Sequence, residues 1–117
     1  MPRENFAQLN VSELSEILIL TVLGKLGVAA IPTIVRSLAI ATEKGKAPFV
    51  IGPSVEQVLR WRQTKNEVVE ERKGYDILYR VTDQGRLTIN EFNSVVSKLF
   101  PGLTRVSPLH SRAAASR

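Results

Sequence analysis

Residues 66–86 constrain the fold most, because the hydrophobic period changes within them. Asn66-Glu67-Val68-Val69-Glu70-Glu71-Arg72 and Tyr75-Asp76-Ile77-Leu78-Tyr79-Arg80-Val81 are β-branched and aromatic runs separated by Lys73-Gly74. Two such runs across a short glycine-containing break predict a β-hairpin with Lys73-Gly74 at its tip. Tyr75, Ile77, Tyr79 and Val81 alternate onto one face; Asp76, Leu78, Arg80 and Thr82 take the other. Thr82-Asp83-Gln84-Gly85-Arg86 then hands the chain to a segment of helical period. Leu87, Phe92, Val95, Val96, Leu99 and Phe100 keep that spacing from about Thr82 to about Phe100, where Pro101-Gly102 stops it.

Upstream of the hairpin three more helices are expected. Asn10 with Glu13 resembles a capping box for a helix from Val11 to Leu26, closed by Gly27. Leu14, Ile17, Leu18 and Thr21 form one face of it, yet Ile19, Leu20, Val22, Leu23 and Leu26 spread apolar surface round most of the rest. A helix apolar on more than one side is buried on more than one side, and in so small a domain a partner chain is the expected second cover. Pro32 suits the first turn of a second helix, with Ile34, Val35, Leu38 and Ala41 carrying the period to about Glu43. Lys44 to Pro48 is a loop, Phe49-Val50-Ile51 a short extended piece, and Ser54 the N-cap of a third helix from Val55 to Lys65. On that helix Val55, Val58 and Leu59 share one side, Gln57, Arg60, Trp61 and Thr64 turn away, and Arg62 falls on the apolar side, where it is expected to snorkel.

The 117 residues suit one mainly helical domain with a small β-hairpin, of α+β class, spanning 10–100 and followed by a basic flexible tail, 101–117. Net charge is +5, but Arg105, Arg112 and Arg117 all follow Pro101 without an acid among them, which leaves +2 for residues 1–100. A basic surface must therefore come from local clustering. No cysteine is present, which removes disulfides, thiolate catalysis and most zinc sites and fits an intracellular chain. The longest apolar run, Ile17 to Leu23, is far shorter than the roughly 20 residues a span needs, so no membrane partner is expected. His110 is the only histidine and lies in the tail. No phosphate-cradling glycine loop follows a strand and no nucleophile has a visible base, so neither catalytic residues nor a cofactor or metal is assigned.

Ser54-Val55-Glu56-Gln57-Val58-Leu59-Arg60, Asn66-Glu67-Val68-Val69 and Tyr79-Arg80-Val81-Thr82-Asp83-Gln84-Gly85-Arg86-Leu87 together resemble the PadR-like winged helix-turn-helix family over about residues 13–100. That family follows a recognition helix with a short strand, a wing and a Tyr-Arg-Leu-Thr-x-x-Gly-Arg ending. The chain departs from it at Ile31-Pro32-Thr33, where the family has Gly-Tyr, and at Arg62, where it has leucine; the long extra dimerisation helices are absent. Small archaeal plasmid and virus proteins, among them the winged-helix adaptor of archaeal plasmid partition systems, resemble the same compact form.

The resemblance implies a double-stranded DNA-binding protein, either a homodimeric transcriptional regulator or a DNA-coating partition or nucleoid adaptor, with cytoplasmic, nucleoid-associated location. A winged helix that binds only protein is the alternative from another class. Ser54, Gln57, Arg60, Trp61 and Thr64 would face the major groove. Thr33, Arg36, Lys65, Arg72 and Lys73 would serve phosphates. Solvated ion pairs with Glu67, Glu70 or Glu71 are the plainer account of Arg60, Lys65 and Arg72, packing that of Trp61, and packing in the core or wing that of Tyr75 and Tyr79. Three glutamates on the first wing strand argue against that strand lying on DNA. The surplus apolar surface of the first and last helices predicts a homodimer through them, the last serving as a C-terminal dimerisation helix. The tail is a candidate contact for another protein.

Overall fold

The computed structural model describes residues 11–42 and 54–107. The expected cap at Asn10, the loop at Lys44 to Pro48, the extended piece at Phe49 to Ile51 and His110 lie outside the described residues. Four helices and a three-stranded antiparallel sheet follow in the order α1 (Val11–Leu26), β1 (Val28–Ala29), α2 (Ile31–Thr42), α3 (Val55–Thr64), β2 (Val68–Lys73), β3 (Asp76–Val81) and α4 (Asp83–Leu99). A 3-10 turn, Pro101–Arg105, closes the described chain. The class is α+β, and among the described residues no helix is long and apolar enough to cross a membrane.

The core is built round α1. Ile17, Leu18, Ile19, Leu20, Val22, Leu23 and Leu26 are all buried, and the helix packs against α2, α3, α4 and β3. This corrects the expectation that α1 needs a second chain to cover it: the helix is apolar all round because the monomer surrounds it. Gly27 ends it at φ 87°, donating its N–H to the Leu23 carbonyl at 2.9 Å, the left-handed stop that glycine adopts without strain.

Strand β1 was not visible in the sequence, since two residues carry no alternation. It pairs Val28 with Arg80 and Ala29 with Tyr79, giving the sheet order β1-β3-β2. A lone hairpin is marginal in water, and the third strand anchors β3 at its base. In the hairpin Lys73 pairs with Asp76, so Gly74 (φ 63°) and Tyr75 form the tip and Lys73 is still strand, a shift of one residue from the expected tip. Tyr79 and Val81 are buried, but the same face leaves the core further out: Ile77 is exposed and Tyr75 wholly so. Tyr75 is therefore not a packing residue. Leu87 on α4 and Val35 on α2, also expected inside, are exposed as well.

The Thr82–Arg86 stretch joins the hairpin to α4 by close contact. The Thr82 N–H donates to the Glu67 carbonyl at 3.0 Å, its hydroxyl donates to the Asn66 carbonyl, and its oxygen accepts from the Gly85 N–H at 3.1 Å as the N-cap of α4. Gly85 is buried against that same Glu67 carbonyl, leaving no room for a Cβ.

Arg62 does not snorkel. It is 8% exposed, and its Nη1 donates to Glu67 Oε1 at 2.6 Å while Nη2 donates to Glu16 Oε1 at 2.8 Å. The Thr88 hydroxyl donates to the other Glu67 oxygen, so one cluster joins α1, α3, the turn after it and α4. The packed domain also runs past residue 100. Gly102 sits against the α2 carbonyls of Ile40 and Ala41, and Leu103 and Val106 are core residues, so the start of the expected tail belongs to the fold.

Replacing Arg62 by leucine strands the buried Glu67 carboxylate and the half-buried Glu16 carboxylate, and urea denaturation should show a loss of roughly 3–5 kcal/mol. Adding Glu16→Gln and Glu67→Gln to that variant should recover part of it. Ending the chain after Phe100 removes Leu103 and Val106 from the core and should cost several kcal/mol, about 1.5–3 for each side chain, read as a lower denaturation midpoint.

Candidate nucleic-acid interface

Helix α3 is divided as its sequence implies. Val58, Leu59 and Arg62 are buried, and Glu56, Gln57, Arg60, Trp61 and Thr64 are exposed along the opposite side. These five recur at helical spacing and make one continuous outward face about two turns long. Ser54 precedes it with φ −73° and ψ 161°, and its Oγ accepts from the Gln57 N–H at 3.1 Å, so this hydroxyl is already engaged as a helix cap. Thr64 likewise spends its hydroxyl proton on the Trp61 carbonyl. On this face Gln57 and Trp61 make no side-chain hydrogen bond among the described residues, and Arg60 commits one guanidinium nitrogen to Glu56. Trp61 is 41% exposed, a ring half packed and half offered.

Electrostatics refine the expected phosphate contacts. Arg60 Nη2 lies 3.0 Å from Glu56 Oε2, one turn back on the same face, and Arg72 Nε lies 3.3 Å from Glu70 Oε2. Both arginines are thus ion-paired, though with acids other than those expected for Arg60. Arg80 pairs with Glu71 at 3.0 Å, a contact the sequence reading did not name. All three pairs are well exposed on the arginine side, so each holds its partner weakly and can exchange it for another anion. Arg36 is exposed at the start of α2 and reaches Thr33 Oγ1 at 3.5 Å. Lys65, at the C-cap of α3, and Lys73, at the end of β2, are exposed and form no ion pair among the described residues.

Three features of this surface were missed. Glu56 shares the outward face of α3, at a position one helical turn from Arg60 that spacing alone could have shown. The Glu71 charge is answered from the neighbouring strand by Arg80, whereas the Arg72–Glu70 pair is one of those expected. The third is the anchoring of α3 from beneath: Arg62 is tied to Glu16, 46 positions away, a partner no local pattern points to.

Behind the hairpin the Tyr79 phenol is held above its usual pKa, chiefly by burial and then by the charges of Glu70 and Glu56, with Arg60 and Arg72 opposing. A folded-state pKa above the unfolded value of 10.0 favours the neutral phenol, so its contribution is complete below pH 10 and is lost as pH rises from there through the raised folded-state pKa. Tyr79→Phe should therefore flatten the fall in stability above pH 10, measured as urea midpoint against pH. Arg60→Ala and Arg72→Ala should each change stability by less than about 1 kcal/mol, because their ion pairs are exposed. No protein-family model matches the chain, and no curated protein matches it significantly.

Proposed function

We propose that the chain is a winged-helix protein that binds double-stranded DNA and acts as a transcriptional regulator. The observation that carries this reading is the outward face of α3, which offers a carboxamide, a guanidinium and an indole side by side on a helix whose other side is locked into the core. An α-helix of this size fits the major groove, where Gln57 can address adenine and Arg60 guanine, each for roughly 1–3 kcal/mol of discrimination. The order β1-β3-β2, with β2 and β3 running out from the core to a glycine turn, supports the wing assignment. Arg72 and Lys73 at the hairpin end, Lys65 after α3, and Thr33 with Arg36 at the start of α2 are the proposed phosphate contacts, and these fix register without reading sequence. Ser54 and Thr64 serve mainly to shape the helix that carries the reading groups.

Dimerisation through α1 is not part of the proposal, because its apolar residues are covered inside the chain. The charge of the described residues supports a protein-binding winged helix as the second reading. Eleven lysines and arginines there face nine acids, a margin of only +2, and two of the proposed DNA-contacting arginines already carry acidic partners.

Electrophoretic mobility and DNase footprinting on DNA flanking the coding sequence, over a series of salt concentrations, test the reading. Affinity should fall as salt rises, with a log–log slope near −0.9 per phosphate contact. Arg60→Ala should lower affinity and relax base preference, whereas Lys73→Ala should lower it uniformly and reduce the slope by about one. Short bounded protection indicates a regulator, and protection that spreads with concentration indicates coating. No salt-sensitive binding, together with no effect of Arg60→Ala, sinks the DNA reading and leaves protein binding.

A further inference from the structure

The end of the hairpin carries an apolar surface that the fold does not use. Tyr75 is wholly exposed, and Ile77, on the same face two residues further along, is exposed as well. Local structure does not call for an aromatic ring at this point. Lys73 pairs with Asp76, so Gly74 and Tyr75 are the two turn residues, and Gly74 takes the positive φ of the turn, 63°, while Tyr75 does not. In a glycine-first turn of this kind the glycine alone meets the conformational demand. Tyr75 is thus required neither by the turn nor by packing.

The charges around it point to one kind of partner. Arg72 lies opposite Ile77 and shares the face of Tyr75, whereas Lys73 projects to the other face, opposite Asp76. Residues 72–77 thus hold two cations, one on each side of the hairpin, against the single acid Asp76. Glu70, which pairs with Arg72, stands further in. A tip set against the tip of a second copy would bring like charges together. The minor groove of duplex DNA is walled by phosphates on both sides and is about 6 Å wide, little more than the ~4.8 Å between two strands. A tip two residues across can lead into such a groove with one side chain, and that side chain is Tyr75.

We propose that Tyr75, backed by Ile77, is a wedge that enters a base step of double-stranded DNA, partly unstacks it and bends the duplex. The inference rests on the DNA-binding reading and adds an activity to it, deformation of the bound DNA. Apolar side chains inserted between base steps kink the duplex by roughly 20–90°, and pyrimidine–purine steps such as TA yield most easily. The hairpin then contributes sequence preference without a hydrogen bond to any base. For the test, the full chain is titrated at low salt into a short duplex rich in TA steps, end-labelled with a donor–acceptor dye pair. The purine of those steps is 2-aminopurine, whose fluorescence rises on unstacking. The unaltered chain should raise both energy transfer and 2-aminopurine emission, and should bind a matched duplex with AA steps more weakly. Tyr75→Ala should leave the urea midpoint unchanged, abolish both signals and weaken binding about tenfold, the loss of one stacked ring. Tyr75→Phe should retain both signals. Lys73→Ala should weaken binding but keep the bend of each bound complex. Binding with neither signal, or signals undiminished in Tyr75→Ala, overturns the wedge and leaves the DNA reading standing. A dimer in sedimentation that depends on Tyr75, without DNA distortion, assigns the tip to a second copy and likewise overturns the wedge. No duplex binding at any salt overturns both.

Discussion

The Arg62 guanidinium, held between Glu16 and Glu67, is the contact on which the arrangement of the elements depends. A charge this deeply buried is tolerated only when it is paired and hydrogen-bonded. Here the two carboxylates come from α1 and from the turn that leads into the hairpin, and Thr88 of α4 supplies a further donor. Each group is exposed to a large penalty if the others move away, so the cluster specifies relative position more strongly than an apolar contact of the same size does. Apolar packing tolerates sliding and a two-pronged guanidinium–carboxylate contact does not. Glu67 adds a second role through its backbone, since its carbonyl receives the Thr82 N–H and lies against Gly85. One residue thereby fixes both where α3 ends and where α4 begins.

The outward face of α3 inherits its rigidity from this cluster. Val58, Leu59 and Arg62 hold the inner side, so Gln57, Arg60 and Trp61 are presented on the side opposite that anchor. Preorganisation of this kind lowers the ordering cost of binding, which otherwise consumes a large part of the gross contact energy. The hairpin is held more loosely. Its base is pinned by β1 and by Tyr79 and Val81, but beyond Leu78 its side chains face solvent, and its ion pairs, Arg72–Glu70 within β2 and Arg80–Glu71 across the strands, are exposed on the arginine side.

Much of this was legible because it is local. Helix limits followed from Gly27, Pro32, Ser54 and Thr82, whose capping and stop chemistry acts within a few residues, and the outward face of α3 followed from its period. What escaped depends on partners distant in the chain. The apolar girth of α1 could be read, but whether a second chain or the same chain covers it could not, because that depends on four elements converging. Arg62 could be seen on the apolar side, yet its salt-bridge partner lies 46 residues back. Leu103 and Val106 are two isolated apolar residues in a polar stretch; only the groove beside α2 that accepts them makes them core. Tyr75 erred the other way. Alternation continued to the tip while the core beneath it had already ended.

The expected ligand bears on how charge should be weighed. A margin of +2 across the described residues offers little long-range attraction, and at physiological salt fields fall off within about 8 Å. Binding to a polyanion by this surface therefore has to be local. The placement of the acids is compatible with that: Glu56, Glu70 and Glu71 each sit against an arginine instead of standing alone, so the repulsion they would exert on phosphate is partly cancelled at its source. When phosphate approaches, an exposed arginine can turn from its carboxylate to the phosphate at little cost, because the pair it leaves contributes less than about 1 kcal/mol. The buried cluster cannot exchange in this way: Arg62 is locked between two carboxylates, while Arg60, two residues away, pairs at the surface.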